Sequence, residues 1–301
     1  METSDQSRLL ALVSLLSDEN PRVVAEARRA LREIGASALS SLDQAVEGPD
    51  AKLRARARLA RDDVRLALLE RELRALAPRL DRDPGALEEG CILLARTRDH
   101  ELDPATIRAA LDAMADDLST RIDGVTAPSA VVATLTRFFA RELGFQGNQR
   151  NYYDPDNSYL DKVLQRRTGI PITLSAVYLF VGRRLGIPLV GVGMPGHFLL
   201  KHASAKPPLF IDAFGGGRIL GETDCLRYLE EGEFGYDPSY LLPIGDGTML
   251  LRMIRNLVLI YRNRGDTQRR DVLQRFKRVL IGEETRDPEV NSTDGERGSE
   301  R

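Results

Sequence analysis

The sequence predicts an α+β protein, and three observations carry that expectation. Apolar residues recur at three- and four-residue steps through the first half of the chain. Short runs with strand character follow Leu189, and helical spacing returns from Met249 to Leu280. With 301 residues the chain can bury a substantial core, in one large domain or two smaller ones. Its 43 Lys and Arg against 45 Asp and Glu leave a formal charge of -2, which gives no reason to expect nucleic acid as a partner. Cys91 and Cys225 are the only cysteines, too few for a disulfide-rich secreted domain or a thiolate metal site. The opening METSDQSRLLALVSLLSDEN has no basic segment before its short apolar run, and no stretch reaches bilayer-spanning length. The expectation is a soluble, cytoplasmic protein with no membrane association.

Leu9 to Leu16 forms the first apolar helical segment, closed by the turn SDENP. Pro21 suits a first helical turn and opens a second helix that runs to Ile34 before Gly35. Val24, Ala27, Leu31 and Ile34 fall on one side of it. A short helix follows around Ala38 to Val46, then GPD, then a longer one from about Ala51 to Leu76. Lys52, Arg54, Arg56 and Arg58 step by two along that helix, about 200° each time, so they spread around the cylinder. A solvated helix is favoured over a phosphate-binding face. The unit LLSDENPRVVAEARRALREIGASALSSLDQAV resembles a HEAT-type repeat, with about one and a half units within residues 9–76. A short helical array docked on the rest of the chain is therefore expected.

Residues 84–124 predict two more helices, broken near HELDP. Leu87, Cys91, Leu94 and Ala95 share one stripe, which favours a core thiol at Cys91. Leu111, Met114, Ala115 and Leu118 repeat the pattern, and Asp103 can cap their helix ahead of Pro104. A helix from Ala130 to Leu143 leads into GFQGNQRNYYDPDNSYL, whose Asn, Asp and Gly content predicts capping turns.

The helix predicted from Gly169 to Leu185 (GIPITLSAVYLFVGRRL) buries Ala176, Val177, Phe180 and Val181. Its N-terminus offers unpaired amides and the positive end of a helix dipole, where a thiolate nucleophile is best stabilised. No cysteine stands there. The available hydroxyls are Thr173 and Ser175, each read as capping or packing, or as a nucleophile needing strong general-base help. Strands are expected at 189–193, 197–201 and 208–212. If HASAKP closes a symmetric hairpin, His197 lies opposite Asp212 with Cβ atoms roughly 4.5–5.5 Å apart. A carboxylate there can orient the imidazole, but catalysis needs a third member.

The candidate ligand or cleft residues are Asn151, Asp154, Asn157, His197 and Asp212, with turn-capping the competing role for the first three. AFGGGRIL offers backbone amides near Asp212 and no nucleotide-binding pattern. Histidines at 100, 197 and 202 have no metal spacing, so neither metal nor cofactor is expected. Cys225, in TDCLRYL, reads as part of a packing helix.

The strings GNQRNYYDPDNSYLDKVLQRRTGIPITLSAVYLFVGRRLGIPLVGVGMPGHFLLKH, LFIDAFGGGRIL and LLRMIRNLVLIYRNRGD resemble the SirB1 family of transglutaminase-like, TPR-containing proteins. That resemblance spans roughly residues 84–281. It implies a papain/transglutaminase-like core, a helix packed on an antiparallel sheet, with Cys on the helix and His and Asp on consecutive strands. His197 and Asp212 occupy the His and Asp places, whereas Pro171 or Ile172 occupies the Cys place, a departure itself typical of SirB1-like proteins. The implied organisation is a HEAT-like region at 1–80, a helical lead-in at 81–129, the core at 130–245, a TPR-like helical pair at 246–281 and a disordered tail at 282–301. The functional expectation is a non-catalytic module that binds a protein or peptide. The alternative is a hydrolase or acyl transferase with Ser175 or Thr173 as nucleophile, His197 as base and Asp212 as orienter.

Overall fold

The computed structural model describes residues 2–235 and 237–283, so the tail expected at 282–301 lies outside the described residues from position 284 onward. The chain begins with α1 (Glu2–Leu15), α2 (Pro21–Ile34), α3 (Leu39–Glu47) and the long α4 (Ala51–Leu76). Side-chain caps set two of these starts. Asn20 accepts from the Arg22 amide, and Asp50 accepts from the amides of Lys52 and Leu53. The helices close around Leu16, Leu31, Leu42, Ala57, Ala60 and Val64. The alternating basic run is largely occupied by local contacts. Lys52 pairs with Glu19, Arg54 donates to the carbonyls of Gly48 and Pro49, and Arg56 donates to those of Leu16 and Asp18.

The C-terminal half of α4 belongs to a second and larger core. Leu69, Leu73 and Leu76 pack there with α5 (Ala86–Arg96), α6 (Pro104–Ile122), α7 (Pro128–Thr136) and later elements. Residue 80, the division expected from sequence, therefore comes after α4 has already entered this core. Asp103 caps α6 by accepting from the Ala105 amide. Cys91 is buried with its Sγ 3.6 Å from Met253 Sδ, and burial first, then the charges of Glu88 and Asp246, push its thiol well above the ordinary range.

The core of the chain continues with β1 (Gln146–Gly147), α8 (Leu160–Arg166), β2 (Thr168–Gly169) and α9 (Pro171–Arg184). From Pro171 to Gly182 every residue of α9 is buried. A helix covered on all sides needs apolar side chains all round, and this one has them. Then come β3 (Leu189–Val192), β4 (Leu199–His202), β5 (Phe210–Asp212), β6 (Arg218–Leu220), α10 (Glu222–Glu231) and β7 (Pro243–Ile244). Among the described residues β3 to β7 form an antiparallel sheet in the order β6-β5-β4-β3-β7.

Both faces of that sheet are covered. Leu189, Leu200 and Ile211 join the large core that contains α9, while Val192, Leu199 and Phe210 pack with Cys225 and Leu229 of α10. α11 (Asp246–Asn263) and α12 (Thr267–Leu280) complete the fold as a tightly connected pair, and Leu273, Phe276 and Val279 return to the core that α4 entered. The structure is thus α+β, as the spacing predicts.

Because α4 ties the two cores together, truncation in its buried half should be costly. Leu73→Ala is expected to lower the unfolding free energy by about 2–5 kcal/mol. Leu59→Ala, at a position 51% exposed on the same helix, should stay within about 0.5 kcal/mol. Urea denaturation of the two variants checks this, and equal losses would contradict the role assigned to α4.

Candidate functional site

The site is built where four segments meet. The start of α9, the turn before β4, the end of β5 and the loop between β1 and α8 converge on His197. Its ring Nε2 lies 3.0 Å from Asp212 Oδ1. A buried carboxylate only accepts, so the bond assigns the proton to Nε2 and leaves Nδ1 as the second ring nitrogen. Asp212 also receives the Gly215 amide on Oδ1 at 2.8 Å and Arg218 Nη2 on Oδ2 at 3.2 Å. Burial raises the Asp212 pKa, but the bonds from His197, Gly215 and Arg218 outweigh it and hold the carboxyl below its usual range. A Cβ at Gly215 would collide with that carboxylate, so the amide reaches Asp212 only because position 215 is glycine.

His197 and Asp212 do meet, but through a register two residues away from the symmetric hairpin. Leu200 pairs with Ile211 and Lys201 with Phe210. β4 runs on to His202 and β5 begins only at Phe210, so the connection is longer and later than HASAKP alone. His197 stands before β4, in a turn where its amide donates to the Met194 carbonyl. Gly196 supplies the left-handed conformation of that turn, with φ +68°. An even shift preserves the face of every side chain, so His197 still reaches Asp212.

Two clefts flank this pair. The larger, of about 1340 Å³, is lined by His197, Asp212, Pro171, Phe214 and Tyr228 together with polar residues such as Arg150 and Arg218. The smaller, of about 460 Å³, lies on the α11 side and shares Tyr152, Pro171, Gly196 and His197 with the first. Tyr228 and Phe214 set their rings 5.5 and 6.3 Å from the imidazole. Arg252 fixes the turn from behind, with Nη2 donating to the carbonyls of Met194 and His197 at 3.1 and 3.2 Å.

The remaining candidates lie elsewhere. Thr173 and Ser175 are fully buried, line neither cleft, and their hydroxyls have no hydrogen-bond partner among the described residues. The hydrogen bond to His197 that a nucleophile needs is therefore not made by either. Asn151, Asp154 and Asn157 also line neither cleft. Asn157 is wholly buried and donates to the carbonyls of Asn151 and Tyr152 while accepting from Asn148 Nδ2. Asp154 caps a short turn through the Asp156 amide and pairs with Arg166. Backbone satisfaction accounts for the side chains of Asp154 and Asn157, while Asn151 takes part through its amide and carbonyl.

Asn157 instead shapes the loop that carries Tyr152 to the junction of the clefts. Cys225 does line the larger cleft, but burial first, then the nearby acids Asp224, Glu222 and Asp212, push its thiol up to about 11. That is opposite to what a cysteine nucleophile requires. The cleft residues Tyr152, Tyr228 and Arg252, not singled out as site candidates from the sequence, come from segments with no common spacing. Among the described residues no group of three or more His, Cys, Asp or Glu could hold a metal, and no helix is long and apolar enough to cross a membrane.

Two measurements follow. Asp212→Ala should cost about 1–3 kcal/mol of stability at neutral pH, because it strands the imidazole donor. The depressed Asp212 pKa stabilises the fold above the unfolded value of 3.8, and this contribution is lost as pH falls through the folded value. The stability gap between the wild-type chain and Asp212→Asn should therefore narrow below about pH 4; a gap unchanged from pH 7 to pH 3 would contradict the linkage. A Cys225 pKa of about 11 against an ordinary 9.0, with the thiol buried, predicts iodoacetamide alkylation at least about tenfold slower in the folded chain than in urea. Quantitative mass spectrometry at pH 7.5 reads the ratio, and rapid alkylation of the folded chain would overturn it.

Known proteins share sequence with this part of the chain. The profile of a family described as the transglutaminase-like superfamily matches residues 105–255, which contain His197, Asp212, the residues lining the larger cleft and most of those lining the smaller one. A UPF0162 protein of Xylella fastidiosa is 33% identical over 190 residues, covering 61% of this chain and 68% of that protein. One from Pseudomonas aeruginosa is 32% identical over 190 residues, covering 62% and 69%. The F-box only protein 21 of Homo sapiens is 34% identical over 166 residues, covering 52% of this chain and 26% of that protein. No solved structure matches the chain. With the family profile matching half of the chain, across the histidine–aspartate pair, and a UPF0162 relative 33% identical of which 68% is covered, the chain belongs to the transglutaminase-like superfamily, among the UPF0162 proteins.

Proposed function

We propose that this chain is a SirB1-like, non-catalytic member of its superfamily, a regulatory or scaffold module that binds a protein or peptide segment in the clefts beside His197. The observation that carries the reading is Pro171. It opens α9, lines both clefts with His197, and has neither an ionisable side chain nor a backbone N–H. A nucleophile at that place would complete a catalytic constellation, and proline leaves a shaped, polar-walled groove with a fixed imidazole. The relation to an F-box protein supports an interaction role, and the shared region makes up 26% of that chain, as expected of a unit that works inside larger proteins. On this reading the HEAT-like helices before residue 80 and the TPR-like pair at 246–281 extend the surface presented to the partner.

The test is peptide selection from a displayed library on the immobilised full chain, run beside an esterase assay with p-nitrophenyl acetate. Peptides should be retained and competed from the groove, with retention weakened at least tenfold by Tyr228→Ala. Ester turnover should equal that of His197→Ala. Turnover that depends on His197, or acylation by a fluorophosphonate that is lost on Ser175→Ala, would replace this reading with the hydrolase one.

A further inference from the structure

The smaller cleft contains a charge without a counter-charge. Arg252 is half-buried in its wall, beside Tyr153, Ile172, Asn256 and Leu259, and no Asp or Glu is among the residues that line it. The guanidinium spends Nη2 on two backbone carbonyls and lies over the Phe198 ring, with its Cζ 5.7 Å from the centroid. Its Nε and Nη1 have no hydrogen-bond partner among the described residues, and neither has the Asn256 side-chain amide. Burial, then the charge of Arg255, lowers the Arg252 pKa from its ordinary value, and no carboxylate acts on it in return. A partly desolvated cation flanked by a second cation is stabilised by whatever anion enters the cleft.

The rest of the wall says what kind of anion. Ile170, Ile172 and Ile260 form an aliphatic floor, and Tyr153 and Leu259 remain 60% and 39% exposed at the rim. The cleft of about 460 Å³ has the size of a small-molecule or side-chain pocket. An inorganic anion would satisfy Arg252 and leave this surface wet. An Asp or Glu side chain would do the same, since its carboxylate comes without an apolar branch. The ligand that matches both features carries a carboxylate and a large apolar group on the same carbon.

We propose that the smaller cleft is a recognition pocket for a peptide C-terminus, in which Arg252 and Asn256 hold the free carboxylate and the aliphatic floor takes an apolar last side chain. The preceding residues then run past His197 and Pro171 into the larger cleft, since the two clefts meet at those side chains. This rests on the peptide-binding reading above and adds the end and the residue class that are read. Charge-assisted bonds from a guanidinium are among the stronger polar contacts, so removing the carboxylate charge should be felt in full.

The probes are fluorescein-labelled tetrapeptides of three alanines and a last residue, titrated by anisotropy against the full chain. A last leucine with a free carboxylate should bind at least tenfold tighter than the same peptide amidated. It should also bind tighter than an amidated peptide ending in glutamate. Asn256→Asp sets a carboxylate in the pocket at a position with no hydrogen bond to lose. It should reduce binding of the free acid at least tenfold without lowering Tm. Equal binding of acid and amide, or preference for the glutamate peptide, would overturn the proposal while leaving library-selected peptides bound in the larger cleft. If the full chain retains neither these probes nor any library peptide, both readings fall together. The peptide comparison uses only the wild-type chain, so misfolding of a variant cannot obscure it.

Discussion

The buried carboxylate of Asp212 is the interaction on which the site depends. Taking a carboxylate out of water costs several kcal/mol unless its lone pairs are met, and here they are met from three directions. The imidazole of His197 comes from the turn before β4, the Gly215 amide from the glycine turn after β5, and the guanidinium of Arg218 from β6. One side chain therefore fixes the relative positions of three consecutive pieces of chain. The Asp212 carbonyl adds a fourth tie by accepting from the Gly217 amide. The glycines of AFGGGRIL find their physical reason here: the chain must fold back over a carboxylate with no room for a Cβ at 215.

The second constraint is the complete burial of α9. Hydroxyls at 173 and 175 face packed side chains on a helix covered all round, so their chemistry is set by its surroundings and not by their proximity in sequence to the His–Asp strands. The helix start is different, because Ile170, Pro171 and Ile172 reach the smaller cleft. That first turn is the part of α9 that reaches the clefts beside His197. Positions 171 and 172 are the places on this helix that share a cleft wall with His197; neither proline nor isoleucine supplies a hydroxyl or thiol, and proline also removes an amide.

Much of this was legible in sequence, and the parts that were not share a cause. The helix starts at Pro21, Ala51 and Pro104 follow from Asn20, Asp50 and Asp103, because a cap acts on amides two or three residues away. The association of His197 with Asp212 was legible because strand parity fixes which face a residue occupies, and an error of two residues in register leaves parity intact. The register itself was not legible, since it depends on where each strand stops, which pairing with β3 and β6 decides. The composition around Asn151, Asp154 and Asn157 points to capping turns and leaves a ligand role open. Their use in holding the loop is settled by tertiary distances, such as the bond from Asn148 to Asn157, which no local pattern encodes. Arg252 and Tyr152 lie within strings of the family resemblance, but nothing local marks them as cleft residues: an arginine on an amphipathic helix looks solvated until a groove forms beside it.

These observations give the His–Asp pair a physical role that needs no reaction. His197 is held on both sides, its ring by Asp212 and its carbonyl by Arg252. The turn from Met194 to Phe198 therefore forms a rigid ridge between the two clefts, with Gly196 and His197 contributing to both walls. A segment lying across that ridge meets a polar groove on one side and an aliphatic pocket with a lone guanidinium on the other. Loosening either anchor would move the ridge and change both clefts together. A catalytic imidazole needs the same rigidity to hold its geometry. On the proposed binding reading, the constellation that elsewhere would orient a base maintains the shape of the cleft walls, so the presence of the pair does not by itself imply chemistry.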